Sequence, residues 1–194
     1  MKKILALLLA LTALLSLSAC GARDLDAPSG YKQASSDEYC DYVLYVPSAW
    51  NAESAKTNLT TAAVPVGNSK LTVSVAKLES RAVNAKGEPI ETLAQYWDDC
   101  KDEYAYLTNS TVNEAKSETI RLGTKWEEAE KAKAHTAYRY VFAGDYQGTS
   151  YTFAQVFALN GSDLYCITMT VATEHYTDET IKTFNDILSY FLFK

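Results

Sequence analysis

Histidine, cysteine and positive charge are scarce in this chain of 194 residues, and each shortage excludes a class of site. Two histidines, His135 and His175, are too few for a three-histidine zinc site. The formal net charge of −6 has the wrong sign for a protein that holds nucleic acid by neutralising phosphates. The chain contains no P-loop and no Gly-x-Gly-x-x-Gly or Gly-x-Ser-x-Gly motif, so we predict no nucleotide site, no cofactor and no serine-hydrolase elbow.

The four cysteines include no Cys-x-x-Cys pair. If Cys20 is modified, as argued below, then Cys40, Cys100 and Cys166 remain, and an odd number cannot all pair within one chain. Two interpretations stay open: three small buried hydrophobic residues, or one disulfide with one free thiol. No local pattern supports a nucleophilic cysteine, so we predict no catalytic residue of this kind.

Acidic residues lie one helical turn apart between Asp98 and Glu103. Such pairs offer too few oxygens for a calcium ion, which takes six to eight ligands. We therefore interpret them as a solvated helix face and predict no metal site.

Apolar and aromatic residues are abundant. Hydrophobic residues make up 47% of the chain and aromatic residues 12%, including 14 tyrosines. This composition is typical of a folded protein with a core rich in β-structure.

The N-terminus has the composition of an export signal. Two lysines precede Ile4–Leu15, which carries no charge and is shorter than the ~20 apolar residues of a transmembrane helix. The sequence Leu-Ser-Ala-Cys at Leu17–Cys20 resembles a bacterial lipobox, in which small residues precede a cysteine that becomes the new N-terminus. The resemblance implies cleavage before Cys20 and a diacylglyceryl group on its thiol. An ordinary secretory signal with a chance cysteine is the alternative.

Three segments follow from the lipobox: a signal peptide over 1–19, a lipid-attached tether over 20–30 and one domain over 31–194. The residues of the tether are small, polar and typical of turns, and a fully extended tether would reach ~35 Å from the lipid. After cleavage 16 basic residues remain against 24 acidic ones, a formal charge of −8. Acyl chains such as palmitate hold a protein stably at a bilayer. We therefore expect a lipid-anchored protein on the extracytoplasmic face of the cell membrane.

Hydrophobic periodicity predicts an α+β domain. Three alternating runs between residues 134 and 172, joined by turns that contain glycine, predict an antiparallel meander. Apolar positions at three- and four-residue spacing predict two helices. The predicted elements outside the meander are strands over 31–35, 41–46 and 71–75, a short turn that carries Trp50, and helices over 90–107 and 177–191.

The order of these elements resembles the PsbP-like family. The resemblance implies an antiparallel β-sheet flanked by helices, an α/β/α sandwich, and a non-catalytic accessory or interaction protein. The lipoprotein leader departs from the plant members, so no photosystem role is carried over. The matching stretches are Tyr42–Asn51, Leu71–Val75, Ala137–Tyr140, Leu164–Thr168 and the closing helix with Phe191.

The tyrosine surplus supplies the candidate binding residues. An aromatic ring with a polar tip suits peptide or glycan contact, and Gln155 lies among apolar neighbours on its strand. Core packing explains many of these aromatic residues equally well. We expect a binding module for a protein or envelope ligand. The alternatives are a small envelope hydrolase, a metal-dependent enzyme and a small-ligand-binding lipoprotein. The candidate ligand-binding residues are Tyr45, Trp50, Tyr138, Tyr140 and Gln155.

Overall fold

The structure is a computed structural model that describes residues 27–68, 70–79, 83, 86–90, 92–100, 107–112, 116–126 and 135–194. Strands dominate the described residues. The strands are β1 Tyr31–Gln33, β2 Tyr42–Val43, β3 Tyr45–Pro47, β4 Trp50–Ala55, β5 Thr60–Pro65, β6 Leu71–Glu79, β7 Thr108–Val112, β8 Glu118–Arg121, β9 Thr136–Tyr146, β10 Thr149–Asn160, β11 Asp163–Ala172 and β12 Leu192–Phe193. The α-helices are α1 Leu93–Cys100 and α2 Asp178–Tyr190.

The antiparallel meander predicted from the sequence is confirmed in β9, β10 and β11. Gln147 and Gly148 join β9 to β10, and their φ angles of 50° and 79° are the two positive values that a tight two-residue hairpin requires. Gly161 and Ser162 join β10 to β11 in the same number of residues. β9 continues through Gly144 as far as Tyr146, so Gln147 and Gly148 alone form the first turn.

The meander is the centre of an eight-stranded antiparallel sheet with the order β4-β5-β6-β11-β10-β9-β7, and β8 also pairs with β9. The strand predicted at 71–75 is confirmed as part of β6, which pairs with β11. The predicted short turn is present at residues 48–49, but the prediction that it carries Trp50 is wrong. Trp50 begins β4 opposite Pro65 of β5, because the chain returns to an extended conformation immediately after the turn that follows Pro47.

Two short ladders lie outside the large sheet. β1 pairs with β3, and the C-terminal strand β12 pairs with β2. Tyr42 and Phe193 of these ladders, together with Leu44 between β2 and β3, are buried in the same hydrophobic cluster as Val141 and Val156 of the large sheet. The ladders therefore help to cover one face of that sheet.

Alternation along the long strands gives the sheet two buried faces. Val141 and Val156 point to one face, where they pack in a cluster with Phe184 of α2. Phe142, next to Val141, points to the other face and packs in a second cluster with Trp97 of α1. Because neighbouring side chains of a strand point in opposite directions, the two helices lie on opposite faces of the sheet.

Helix α2 confirms the predicted closing helix, and Thr177 caps its N-terminus. The Thr177 side chain accepts a hydrogen bond from the Thr180 amide, and the Thr180 hydroxyl accepts one from the Thr177 amide. Asp178 and Glu179 place negative charge in the first turn, where the helix dipole favours it. Phe184 and Ile187 are fully buried, so the apolar stripe anchors the helix to the sheet.

The predicted α+β class, with an α/β/α sandwich, is wrong, because the described residues are mostly β-strand. α1 has eight residues and α2 has 13, which correspond to ~12 Å and ~20 Å of helix. Seven neighbouring strands span ~29 Å across the sheet. Within the described ranges neither helix forms a full layer on such a sheet, and short strands cover part of the α2 face.

Candidate functional site

The structure separates the candidate binding residues into two places. Tyr140 and Gln155 face each other across β9 and β10, and the Tyr138 ring lies 4.5 Å from the Tyr140 ring, centroid to centroid. Tyr45 and Trp50 belong to the chain segment around the small ladder β1–β3. The five predicted residues therefore do not form one cleft.

Tyr140 fixes helix α1 to the sheet. Its hydroxyl donates a hydrogen bond of 3.1 Å to the Leu93 carbonyl oxygen at the start of α1. Its ring stacks on Trp97, with centroids 4.5 Å apart and an interplanar angle of 22°. Both side chains are buried. The contacts of Tyr140 are those of a core residue, as the packing alternative proposed.

Gln155 belongs to a buried polar row across the middle of the sheet. The register places Gln155 of β10 opposite Thr168 of β11, and Thr168 opposite Ser74 of β6. All three are no more than 4% exposed. Buried polar side chains in proteins are almost always hydrogen-bonded, so this row supplies polar neighbours that an isolated glutamine would lack.

Trp50 and Tyr45 are also buried. Trp50 packs in the cluster on the α2 face of the sheet. Tyr45 points elsewhere, and its ring lies 5.5 Å from that of Trp126. Tyr138 is half-buried against the cluster on the α1 face, whereas Tyr45 leads to a cluster of aromatic rings that reaches the surface.

We call this cluster the Trp126 patch, and it consists of Tyr31, Tyr45, Trp126 and Tyr190. The Tyr190 ring lies 5.3 Å from Tyr31 and 5.7 Å from Trp126. Tyr31, Trp126 and Tyr190 are half-buried, whereas Tyr45 lies beneath them. Burial raises the pKa of Tyr31. Tyr31, Trp126 and Tyr190 could not be predicted as one group from the sequence, because they are far apart in the chain and share no motif.

Hydrogen bonds to main-chain carbonyl groups hold the patch on the C-terminal end of α2. The Trp126 indole N–H donates to the Tyr190 carbonyl oxygen at 3.1 Å. The Gly123 and Lys125 amides each donate at 3.0 Å, to the carbonyl oxygens of Leu188 and Ser189 respectively. These donors satisfy carbonyl groups that a helix C-terminus leaves without intrahelical partners.

A small charged group borders the patch. Asp186 accepts hydrogen bonds from Lys125 at 2.6 Å and from Lys182 at 2.9 Å. These two ammonium groups lower the pKa of Asp186. The Lys125 ammonium also lies 5.3 Å from the centre of the Tyr190 ring, within the range of a cation–π contact.

A second polar group, built on Tyr42, has a structural role. The fully buried Tyr42 hydroxyl donates to the Leu59 carbonyl oxygen and lies 2.8 Å from the Thr61 hydroxyl. Thr61 is in turn 2.9 Å from the Ser54 hydroxyl. Burial raises the pKa of Tyr42. This network ties β2 to the β4–β5 hairpin.

Tyr165 carries a related contact beside this network. Its hydroxyl donates to the carboxylate of Asp41, whose carbonyl oxygen accepts from the Lys194 amide at 2.8 Å. Burial, together with the neighbouring carboxylate, raises the pKa of Tyr165. The contact therefore connects β11 with the C-terminal end of the chain.

Cys40 and Cys166 are free buried thiols. Cys166 lies 3.3 Å from the Thr168 hydroxyl, and burial raises the pKa of its thiol to about 12. A thiol with this pKa stays protonated at neutral pH, which is unfavourable for a nucleophile. Because both thiols are free, the disulfide alternative is wrong for Cys40 and Cys166. The Cys100 side chain lies outside the described residues.

The two histidines do not converge. His135 packs edge-on against Phe193 at 4.8 Å between ring centroids, whereas His175 is exposed beside Glu174. Within the described ranges no three histidine, cysteine or acidic side chains are grouped as metal ligands. Neither helix in these ranges has the length and apolar character needed to span a bilayer. The predicted lipidation residue Cys20 lies outside the described residues.

Comparisons with known proteins identify the fold. The structure is similar to that of PsbP from the cyanobacterium Synechocystis, with a TM-score of 0.51 and 14% identity over 92% of this chain and 99% of that one. A protein of unknown function from Pseudomonas aeruginosa matches with a TM-score of 0.50 and 12% identity, over 82% of this chain and 94% of that one.

A third similar structure, LpqN of Mycobacterium tuberculosis, gives a TM-score of 0.39 and 12% identity over 87% of this chain and 81% of that one. No protein-family model matches the sequence, and no curated protein matches it. At these identities a shared fold does not establish a shared function. What the comparisons show is that this chain has a PsbP-like fold.

Proposed function

We propose that this protein is a lipid-anchored extracytoplasmic lipoprotein whose PsbP-like domain is a non-catalytic binding or accessory module for a protein or envelope ligand. The observation that carries the proposal is the order of features at the N-terminus. Two lysines, an uncharged apolar stretch and Leu-Ser-Ala-Cys follow one another at the spacing of a lipoprotein signal.

The position of the first strand supports this arrangement. β1 begins at Tyr31, eleven residues after Cys20. If Cys20 is acylated, the intervening segment lets the domain move no more than ~35 Å from the lipid. The formal charge of −8 after cleavage disfavours docking on anionic lipid through the domain as a whole. The lipid would then be the anchor, and the domain would remain available to a partner.

The contacts of the reactive side chains support a non-catalytic role. The hydroxyl groups of Tyr42 and Tyr165 donate hydrogen bonds within the protein. Cys166 is buried with a raised thiol pKa, and His135 packs against an aromatic ring. These groups stabilise the fold. The accessory role that the family resemblance implies agrees with these contacts.

Fractionation of bacteria that express the full chain tests the anchor. The wild type should sediment with membranes and incorporate an alkyne-labelled palmitate. Cys20→Ala should lose the label and appear in the soluble extracytoplasmic fraction, since one sulfur carries the lipid. Cys100→Ala is the matched control, because it removes a cysteine outside the lipobox and should keep both properties. Unchanged labelling and membrane retention of Cys20→Ala would contradict the proposal.

A further inference from the structure

We propose that the Trp126 patch rests on the surface of the bilayer that anchors the chain, with lipid headgroups as its ligand. The inference deepens the proposed function, and it rests on the acylation of Cys20. In this orientation the face that carries the Trp126 patch is turned toward the membrane, and the other faces of the domain stay accessible to other partners.

The chain enters the domain at the patch. Tyr31, the first residue of β1, packs on Tyr190 with their rings 5.3 Å apart. The segment before it is too short to carry the domain far from the bilayer. A short tether of this kind gives a bound group an effective concentration in the millimolar range. Weak contacts are therefore sufficient to orient the domain.

The residues of the patch have the chemistry of a membrane interface. Tyrosine and tryptophan are enriched where hydrocarbon meets headgroups, because each combines an apolar ring with a polar tip. Tyr31, Trp126 and Tyr190 are half-buried, so part of each side chain remains available to lipid. Tyr45 packs beneath Trp126 and supports it from the core side.

The patch is held in place before any lipid binds. The indole N–H of Trp126 is bonded to the Tyr190 carbonyl oxygen, and the Lys125 amide is bonded to the preceding carbonyl group, that of Ser189. A contact surface whose side chains are already ordered loses less entropy on binding.

The charge around the patch predicts which lipids it accepts. Lys125 and Lys182 share the single carboxylate of Asp186, so this border carries a small positive excess in an otherwise acidic domain. Such a border differs from the clusters of four to eight basic residues that select anionic lipids. Contact through aromatic rings should therefore occur on uncharged phosphatidylcholine as well.

Fluorescence of the full-length lipoprotein in phosphatidylcholine vesicles tests the inference. The vesicles carry lipids brominated close to the headgroup, which quench a tryptophan only on contact. Trp50 and Trp97 are buried, so the quenched part of the emission should come from Trp126. We expect about a twofold or larger loss of the Trp126 emission, since the tether keeps the patch at high effective concentration. Trp126→Phe should abolish the quenched component.

A matched control moves the fluorophore to the opposite side of the domain. Ala94 is exposed on α1, which packs on the other face of the sheet. The double variant Trp126→Phe with Ala94→Trp should emit without quenching. If Trp126→Phe does not fold, as judged by circular dichroism, the wild type on brominated and plain vesicles still measures the effect.

Three results would overturn the inference: wild-type emission that is equal on brominated and plain vesicles, equal quenching in the control with the moved tryptophan, or quenching that requires anionic lipid. Flotation of the same vesicles separates this failure from that of the proposed anchor. A protein that floats with the vesicles and is not quenched keeps its lipid anchor and loses the proposed contact. A protein that does not float refutes the anchor, and with it the inference.

Discussion

Gly144 lies directly against Leu107: a Cβ atom placed on Gly144 would be 2.9 Å from the Leu107 Cβ atom. Gly144 is an interior residue of β9, and Leu107 is buried where the chain returns to the sheet at β7. The missing side chain therefore leaves the space that Leu107 occupies. This explains a glycine in the middle of a strand, where glycine is otherwise unfavourable.

Gly144→Ala should destabilise the protein by about 1–3 kcal/mol, because the added methyl group overpacks a filled site. Chemical denaturation with a fitted free energy of unfolding measures the effect. Leu107→Ala should cost about 2–5 kcal/mol by itself. The cost of the double variant should be smaller than the sum of the two single costs, because Leu107→Ala removes the Cδ1 and Cγ atoms that would lie 3.2 and 3.5 Å from the added methyl group, although the contact with the Leu107 Cβ atom remains. Strictly additive costs would show that the Leu107 Cδ1 and Cγ atoms do not conflict with the added methyl group.

Tyr42→Phe should lower the free energy of unfolding by about 1–3 kcal/mol. The substitution removes the hydroxyl that bonds the Leu59 carbonyl oxygen and Thr61 and leaves these groups less satisfied in a buried place. Tyr39→Phe removes a hydroxyl from a partly buried tyrosine nearby and serves as the control. Equal stability changes in the two variants would contradict the network described around Tyr42.

The two buried tyrosines predict a loss of stability at alkaline pH. Burial raises the pKa of Tyr42 and of Tyr165, so the folded chain retains protons that the unfolded chain releases near pH ~10. The unfolded state then binds fewer protons, and stability falls as the pH rises above that value. Ultraviolet absorbance should show both tyrosines ionising together with unfolding in the wild type. If all tyrosines ionise while the circular dichroism of the folded protein is unchanged, ionisation of Tyr42 and Tyr165 is not coupled to unfolding and the prediction is wrong.

Asp186→Asn should destabilise the wild-type fold at neutral pH and have little effect in acid. Lys125 and Lys182 lower the pKa of Asp186, so its contribution is present above the ordinary carboxyl value of ~3.9 and is lost as the pH falls through the lowered one. We expect about 0.5–1 kcal/mol for this partly exposed pair of contacts. Thermal unfolding of the wild type and of Asp186→Asn from acid to neutral pH measures this difference in stability. A difference that does not change with pH would assign the effect to something other than charge.

The meander and the closing helix were predictable because their information is local. Alternation with period two, Gly148 and Gly161 in tight turns, and Thr177 as a cap each act within a few residues. The hairpin β4–β5 was not predictable because it lacks these local signals. Its sequence has weak alternation, and its turn contains Asn58 and Leu59 at positive φ without a glycine.

The candidate site was only partly predictable because it depends on long-range packing. Tyr45 was identified from its aromatic ring, but Trp126 and Tyr190 come next to it only through the end of α2. The α/β/α sandwich was predicted wrongly because periodicity identifies a segment as a helix but does not give the area of the sheet that the helix covers. In the part of the chain that the structure describes, two helices cover only part of a sheet of eight strands, and short strands cover some of the remaining area.

The mass of the N-terminal peptide from membrane-purified protein tests the lipid anchor most directly. The peptide should begin at Cys20, and its mass should exceed that of the unmodified sequence by a diacylglyceryl group, with or without a further acyl chain. Cys20→Ala should not yield this species. An unmodified peptide that retains residues upstream of Cys20 would contradict the proposed function.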